Sequence, residues 1–445
     1  MKRIQSNKTW RNAVLGVLSA TAIGVLLSGC AVGGASTDAV DQADGEATLV
    51  VWTDAIRLPL FKAFQEAHPE VKLEIETLDS SPDELASKIL LANTSGQGWP
   101  DVLATSASAA SSLASAPYDF TLDLTTLVDP EIVADFSQGT LDPCTVEEEL
   151  ICMRGDFAPG VLWYNPNLME EFGYSVPTTW EDFQATGEKL AEEHPGYIVG
   201  SASNPWDDLT YYAASECPGP EFSSVDTAKV DLNDPKCTRV TDMIDNLLDA
   251  GAFARTAVVD PQFAQDYGTP EKILMMMGPI WYGQNVYANS FDAAPGTLSF
   301  AAPPKWEADS EAHTGDIGGR AYVVSRHSEY QQAAADLVTW VTTGPFLATE
   351  ASTTLPSYEP MQEAWLDRNI DDGTFTAVDT PLADVLAEAV DGIWTGLTYK
   401  QANSETYRAV VPASLGTGKS MTETVPEWQT RLIQNLEAAG WKVEQ

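Results

Sequence analysis

At 445 residues with 44% hydrophobic side chains, the chain has enough apolar surface for a sizeable core and exceeds the length one core usually serves, so two globular lobes are expected and wholesale disorder is excluded. Its 24 basic and 65 acidic residues give a net charge of −41, which repels phosphate backbones and anionic bilayers and excludes nucleic acid as a partner. The acidity is spread along the chain without a long single-sign run, so it reads as a solvated surface that keeps the protein soluble rather than as a site for cations.

Lys2, Arg3, Lys8 and Arg11 form a positive region without an acid, and an almost uninterrupted apolar run of 15 residues follows from Ala13 to Leu27. That is the pattern of a secretion signal, and it falls short of the roughly 20 residues that a membrane-spanning helix needs. The run ends in Leu27-Ser28-Gly29-Cys30, which resembles the bacterial lipobox. The resemblance implies cleavage before Cys30 and a diacylglycerol on its thiol, so residues 1–29 are expected to be a lipoprotein signal peptide. Its removal takes the charge from −41 to −45. Residues 30–47, rich in Gly, Ala, Ser, Thr and Asp, should be a flexible tether to the membrane.

The other four cysteines lie as two local pairs, Cys144 with Cys152 and Cys217 with Cys237, and in an exported protein they are expected to form two disulfides. Neither pair has tight metal spacing and none of the four histidines lies beside them, so no metal is implied.

Folding is expected to start near Thr48. Thr48-Leu49-Val50-Val51-Trp52 reads as a buried strand, and Leu60, Phe61, Phe64 and Ala67 recur at helical spacing. After a turn at His68-Pro69, Val71 to Ile75 alternates as a second strand. Leu85, Ile89, Leu90 and Leu91 predict another helix, and Pro100 to Ala104 a third strand. Strands alternating with helices indicate an α/β fold with a largely parallel sheet, whose ligands bind beyond the carboxyl ends of the strands.

Several segments then resemble a known family: Thr48 to Asp54, Gly98 to Val102, Trp163 to Leu168, Val176 to Phe183, Met275 to Trp281, Gly318 to Val324 and Leu415 to Thr422. In this order they are similar to the extracellular solute-binding proteins of the maltose-binding type, over nearly all of the chain from about Leu49 to about Leu436. The departures are the two cysteine pairs and an Ile before Trp281. The resemblance implies a periplasmic-binding-protein-like α/β fold of two lobes, joined by a hinge and closing a cleft on the ligand. Crossings are placed near Phe157 to Gly160, Ile317 to Arg320 and Thr398 to Asn403. Lobe one would then hold residues 48–157 and 318–400, and lobe two residues 158–317 with C-terminal helices in 401–445. The implied partners are a small solute, a sugar first of all, and the transmembrane subunits of an ABC importer. We expect a monomer without a cofactor.

Sugar recognition uses flat aromatic faces and planar polar side chains. Trp281 leads the candidates, because it follows an apolar strand and the resemblance puts a stacking aromatic there, with Tyr282 as its neighbour. Trp206 lies in a polar loop after a strand read from Tyr197 to Gly200. Asp54 follows the first strand, as a hydroxyl acceptor or a helix cap. Ser81 and Ser106 follow the second and third strands, Ser81 beside Pro82 also reading as a cap. Gly319 permits close backbone approach, and Arg320 could grip vicinal hydroxyls or form an interlobe ion pair. Tyr407 resembles a late aromatic that some family members contribute. No catalytic residue is expected: the chain has no G-x-S-x-G elbow, H-E-x-x-H helix or Walker sequence, and abundant carboxylates alone do not make a glycoside hydrolase. Polyols, amino acids or peptides remain alternative ligands, and a sensor receptor an alternative role.

Overall fold

The computed structural model describes residues 47–78, 82–222, 227–349, 352–378, 380–394, 396, 401–438 and 440–444. The signal segment, the tether, Cys30 and Ser81 lie outside the described residues, as do residues 398–400 of the third expected crossing.

The first lobe grows from β1 (Thr48–Thr53), α1 (Leu58–Ala67), β2 (Lys72–Thr77), α2 (Pro82–Ser95), β3 (Val102–Ser106) and α3 (Ala107–Leu113). Pro59 in the first turn of α1 suits a position whose N–H has no helical partner, and Leu60, Phe61 and Phe64 form the buried stripe. The helix stops at His68, whose ring stacks on Phe64 at 4.6 Å. Among the strands that follow, those that build the two main sheets are β4 (Met153–Arg154), β5 (Gly160–Tyr164), β6 (Met275–Pro279) and β7 (Ser299–Ala301). β8 (Arg320–Val324) then returns to the first sheet, whose order is β2-β1-β3-β8-β4. β1 is parallel to β2 and β3, whereas β8 runs antiparallel to β3 and β4, with Arg320 opposite Ser106 and Ala321 opposite Arg154. The first lobe is thus built from two stretches of chain. Leu49, Val51, Phe61, Val102, Val323 and Leu337 share its core.

The second lobe centres on the antiparallel order β6-β5-β7. Alternation explains its apolar runs. Leu162, Tyr164, Met275 and Met277 enter one core with Trp180, Phe183 and Trp428, while Val161, Trp163 and Met276 enter another with Phe263, Phe300 and Phe375. A sheet buried on both faces needs an apolar residue at every position. Membership of the cores changes between Met153 and Phe157 and again between Ile317 and Ala321, and in between Pro159 bridges Asp316 in antiparallel fashion.

Three expectations need correction. The two main sheets are not largely parallel: the first has two parallel and two antiparallel pairings, and the second is antiparallel throughout. Residues 318–400 do not all belong to the first lobe: Leu355, Trp365, Phe375 and Leu386 pack with Phe157, Trp163 and Phe300, so the chain has rejoined the second lobe's core by Leu355. The large aromatic faces of Trp365 and Phe375 find their cover there, 5.7 Å apart between ring centres. The strand expected from Tyr197 to Gly200 lies later, at Gly200–Ser201, paired with Phe253–Ala254. Both expected disulfides are formed, with Cα atoms 4.9 Å apart for Cys144–Cys152 and 4.7 Å for Cys217–Cys237.

Candidate functional site

The carboxyl ends of β1 and β3 and the amino end of β8 meet at one edge of the first sheet, because β8 runs antiparallel to its neighbour. Asp54, Ser106 and Arg320 stand at those three ends. Asp54 is buried, and its two oxygens are divided among cations and an amide. Oδ1 accepts from the Arg57 N–H at 2.9 Å, and Oδ2 meets Arg57 Nη1 and Arg320 Nη2, each at 3.2 Å. Asp156, in the first crossing, accepts from the Arg320 N–H and lies 3.9 Å from Arg57 Nη2. Two arginines and two aspartates therefore form one charge-balanced cluster. Burial, followed by the Arg57 cation, lowers the Arg320 pKa against the opposing pull of Asp54 and Asp156. Burial likewise pushes the Tyr322 phenol far above its ordinary value, so it stays neutral behind the cluster.

Ser106 caps α3, its Oγ accepting from the Ala109 N–H at 3.2 Å. Gly318 and Gly319 have φ of +129° and +87°, where L side chains are strained. Their neighbours are protein groups. A Cβ on Gly318 would lie 3.2 Å from Trp281 Nε1, and one on Gly319 would lie 2.5 Å from the Asp156 carbonyl oxygen and against the Arg154 guanidinium.

From the second lobe, Trp281 reaches this crossing and donates its indole N–H to the Ile317 carbonyl at 3.2 Å. Trp206 stands edge-to-face with it, ring centres 5.6 Å apart, and both indoles are half-buried. Trp206 sits in the first turn of the helix Pro205–Ala214, whose start is capped by Asn204 Oδ1, and Arg408 lies over its ring at 5.5 Å. Tyr282 and Tyr407 are placed differently: both are fully buried. The Tyr282 hydroxyl accepts from Asn204 Nδ2 at 3.1 Å, and the Tyr407 hydroxyl donates to the Ala202 carbonyl at 3.3 Å. Both therefore brace the segment that presents Trp206.

The structure thus gathers Asp54, Trp206, Trp281, Gly319 and Arg320 around the crossings, with Tyr282 and Tyr407 behind. Sequence reasoning passed over Arg57, Asp156 and Arg408. Arg57 could have been found as a cation three residues after Asp54 in the same loop, and Asp156 as the one ionisable group in the Asp-Phe-Ala-Pro-Gly hinge run. Arg57, Asp156 and Tyr322 line a pocket of about 90 Å³ together with Asn285 from the second lobe. A wider cavity of about 720 Å³, lined by Tyr164, Pro177, Lys305 and Glu388 among others, includes none of the cluster or indole residues. The small pocket adjoins the site, since Arg57 and Asp156 of the cluster line it. Among the described residues no group of three or more His, Cys, Asp or Glu is placed to hold a metal ion, and no helix is long and apolar enough to cross a membrane.

Residues 50–343 match a family described as bacterial extracellular solute-binding protein. A curated relative from Deinococcus radiodurans, a probable ABC transporter-binding protein, is 26% identical over 216 residues, which is 44% of this chain and 48% of the relative. The match thus spans about half the length of that relative. The ABC transporter associated binding protein of B. animalis subsp. lactis, solved with beta-1,6-galactobiose, is 18% identical with a TM-score of 0.69, covering 90% of this chain and 100% of that one. The GacH receptor of Streptomyces glaucescens, solved unliganded and with acarbose, gives 19%, 0.68, 89% and 100% on the same measures. The galacto-N-biose-/lacto-N-biose I-binding protein of Bifidobacterium longum gives 16%, 0.67, 90% and 100%. At such identities the structures establish the two-lobe fold.

Proposed function

The chain belongs to the bacterial extracellular solute-binding proteins, and on that premise we propose that it captures a carbohydrate between its lobes and delivers it to an ABC-type permease. The family binds solutes outside the cytoplasm and does not catalyse. The observation that carries the ligand class is the pairing of two half-buried indoles with a cluster of two arginines and two aspartates whose charges cancel. Indole faces cover the apolar face of a pyranose, and a neutral set of fixed donors and acceptors suits hydroxyls, which do both. An ionic solute would have to disturb a paired, largely dehydrated cluster to gain a counter-ion. The beta-1,6-galactobiose, acarbose and lacto-N-biose bound by the structural neighbours agree with this reading.

Capture proceeds by population shift: an open form takes the sugar, and the solute stabilises the closed form in proportion to its extra contacts there. Cys30 would carry the lipid anchor that keeps the receptor at the membrane, with residues 31–47 as its leash. The test is a thermal-shift screen of the soluble chain begun after Cys30, against mono- and oligosaccharides, polyols, amino acids and polyamines. A ligand at about 100 times its Kd adds about 2.7 kcal/mol of stability. A saccharide response that Trp281→Ala abolishes, without hydrolysis of the sugar, supports the reading. A response to an amino acid or polyamine and to no sugar refutes it.

A further inference from the structure

Arg154 is a cation that the site does not absorb. It ends the short edge strand β4 of the first lobe and is 1% exposed. Its guanidinium donates from Nε to the Asp156 carbonyl at 3.0 Å, from Nη2 to the Gly318 carbonyl at 3.1 Å and from Nη1 to the Thr140 carbonyl at 3.3 Å. Nη1 also pairs with Asp316 Oδ2 at 2.6 Å, while Asp316 Oδ1 accepts from the Ala158 N–H at 2.8 Å. One fork thus holds both crossings and a first-lobe loop.

The two ends of the pair belong to different bodies. Arg154 is registered against Ala321 in the first-lobe sheet, and Ala321 packs in that lobe's core. Asp316 is followed by Ile317, which is buried in the second lobe's core, and preceded by Gly315, whose Cβ position lies 2.8 Å from Ala213. Between Asp316 and Ala321 the chain passes through Gly318 and Gly319, the two positive-φ residues of this crossing. Any rotation of one lobe against the other that uses those glycines moves Asp316 relative to Arg154. Beside the pair, Thr140 of the first-lobe loop faces Asp391 and Ile393 across a cavity of about 310 Å³ that Asp316 also lines. Side-chain packing does not fill the space there, which leaves the ion pair as a direct tie.

We propose that Arg154–Asp316 is a latch across the hinge that holds the lobe angle of this structure, and that Arg154 is thereby a positioning residue for the cleft. Only a pair confined to one lobe angle can bias the equilibrium between angles, and its loss changes the population of the form present before ligand arrives. The apparent affinity for any solute then changes although Arg154 touches none. Burial makes the pair less sensitive to screening than a surface ion pair.

The test uses the soluble chain without ligand, so it stands or falls independently of the sugar reading. Asp316→Asn keeps the volume and an oxygen for the Ala158 N–H but removes the charge that Arg154 faces. Arg154→Lys keeps the cation but loses the fork. X-ray scattering reads the lobe separation, and amide hydrogen exchange reads residues 155–160 and 315–320. The expected result for Asp316→Asn is a radius of gyration displaced from that of the unaltered chain, with exchange in the two crossings faster by about tenfold and unchanged in β1 and β3. Arg154→Lys should move both readouts in the same direction; if it does not fold, Asp316→Asn decides alone. Variants that lower the unfolding midpoint yet leave scattering and crossing exchange unchanged would show a purely structural pair and overturn the proposal.

Discussion

Replacing Gly319 by alanine separates backbone strain from packing at the hinge. At φ +87° an alanine must adopt a left-handed conformation, which costs about 1–2 kcal/mol. Its Cβ would also stand 2.5 Å from the Asp156 carbonyl oxygen and against the Arg154 guanidinium. The carbonyl belongs to the backbone and cannot swing aside, and the guanidinium is fixed by bonds to Asp156, Gly318 and Thr140. Relief therefore means stretching at least one buried charged hydrogen bond, worth about 1.5–3 kcal/mol. The two together come to about 2.5–5 kcal/mol. Gly173 and Gly251 supply the controls, because they close helices at φ of +72° and +78° with nothing within 4 Å of a Cβ. Gly173→Ala and Gly251→Ala should cost only the strain. Urea midpoints at constant m measure the difference, and a scattering curve of Gly319→Ala shows whether the lobes also shift. A Gly319→Ala midpoint no lower than those of the two controls would refute the packing assigned to the hinge.

Tyr282→Phe removes the acceptor of Asn204 Nδ2 in a buried setting and should lower stability by about 1–2 kcal/mol in urea unfolding. Replacing both cysteines of Cys217–Cys237, separated by 20 residues, should cost about 3 kcal/mol from the freed unfolded chain, with Cys144–Cys152, separated by 8, costing somewhat less in the same assay. Burial and then the hydrogen bond to Glu193 raise the Tyr174 pKa to about 12. The folded state therefore favours the neutral phenol, so the contribution is complete below about pH 10 and is lost as pH rises through about 12. Ultraviolet titration of the tyrosinates should show one late-titrating phenol fewer in Tyr174→Phe.

The parts of the fold that were legible in the sequence are those where one physical requirement dominates. The β1-α1-β2 unit announces itself by alternation and helical spacing, and the unbroken Met275–Pro279 run requires a strand covered on both sides. The return to the second lobe by Leu355 was illegible, because helices bearing Trp365 and Leu386 carry an apolar stripe that fits either core. Within the site, adjacent aromatics illustrate the limit. Trp281 and Tyr282 have the same local composition, yet their rings stand 78° apart, one at the crossing and the other sealed behind it. Which ring turns outward depends on the backbone leaving β6 and on Asn204, 78 residues earlier, neither of which periodicity encodes.

Arg154 is the opposite case. A charged residue in a two-residue strand reads as solvent-exposed, since a lone buried guanidinium is costly. It is tolerated because its acceptors are three backbone carbonyls and a carboxylate, drawn from both crossings and the loop at Thr140. Thr140, Asp156 and Gly318 lie outside the paired strands, so their carbonyls are open to a side-chain donor, whereas those of a sheet interior are taken up by the ladder. The same geometry needs glycine at position 319, since any Cβ would occupy the space of the guanidinium. Hinge glycine and buried arginine are thus one device seen from two sides: the first gives the crossing its freedom to turn, and the second selects where that freedom comes to rest.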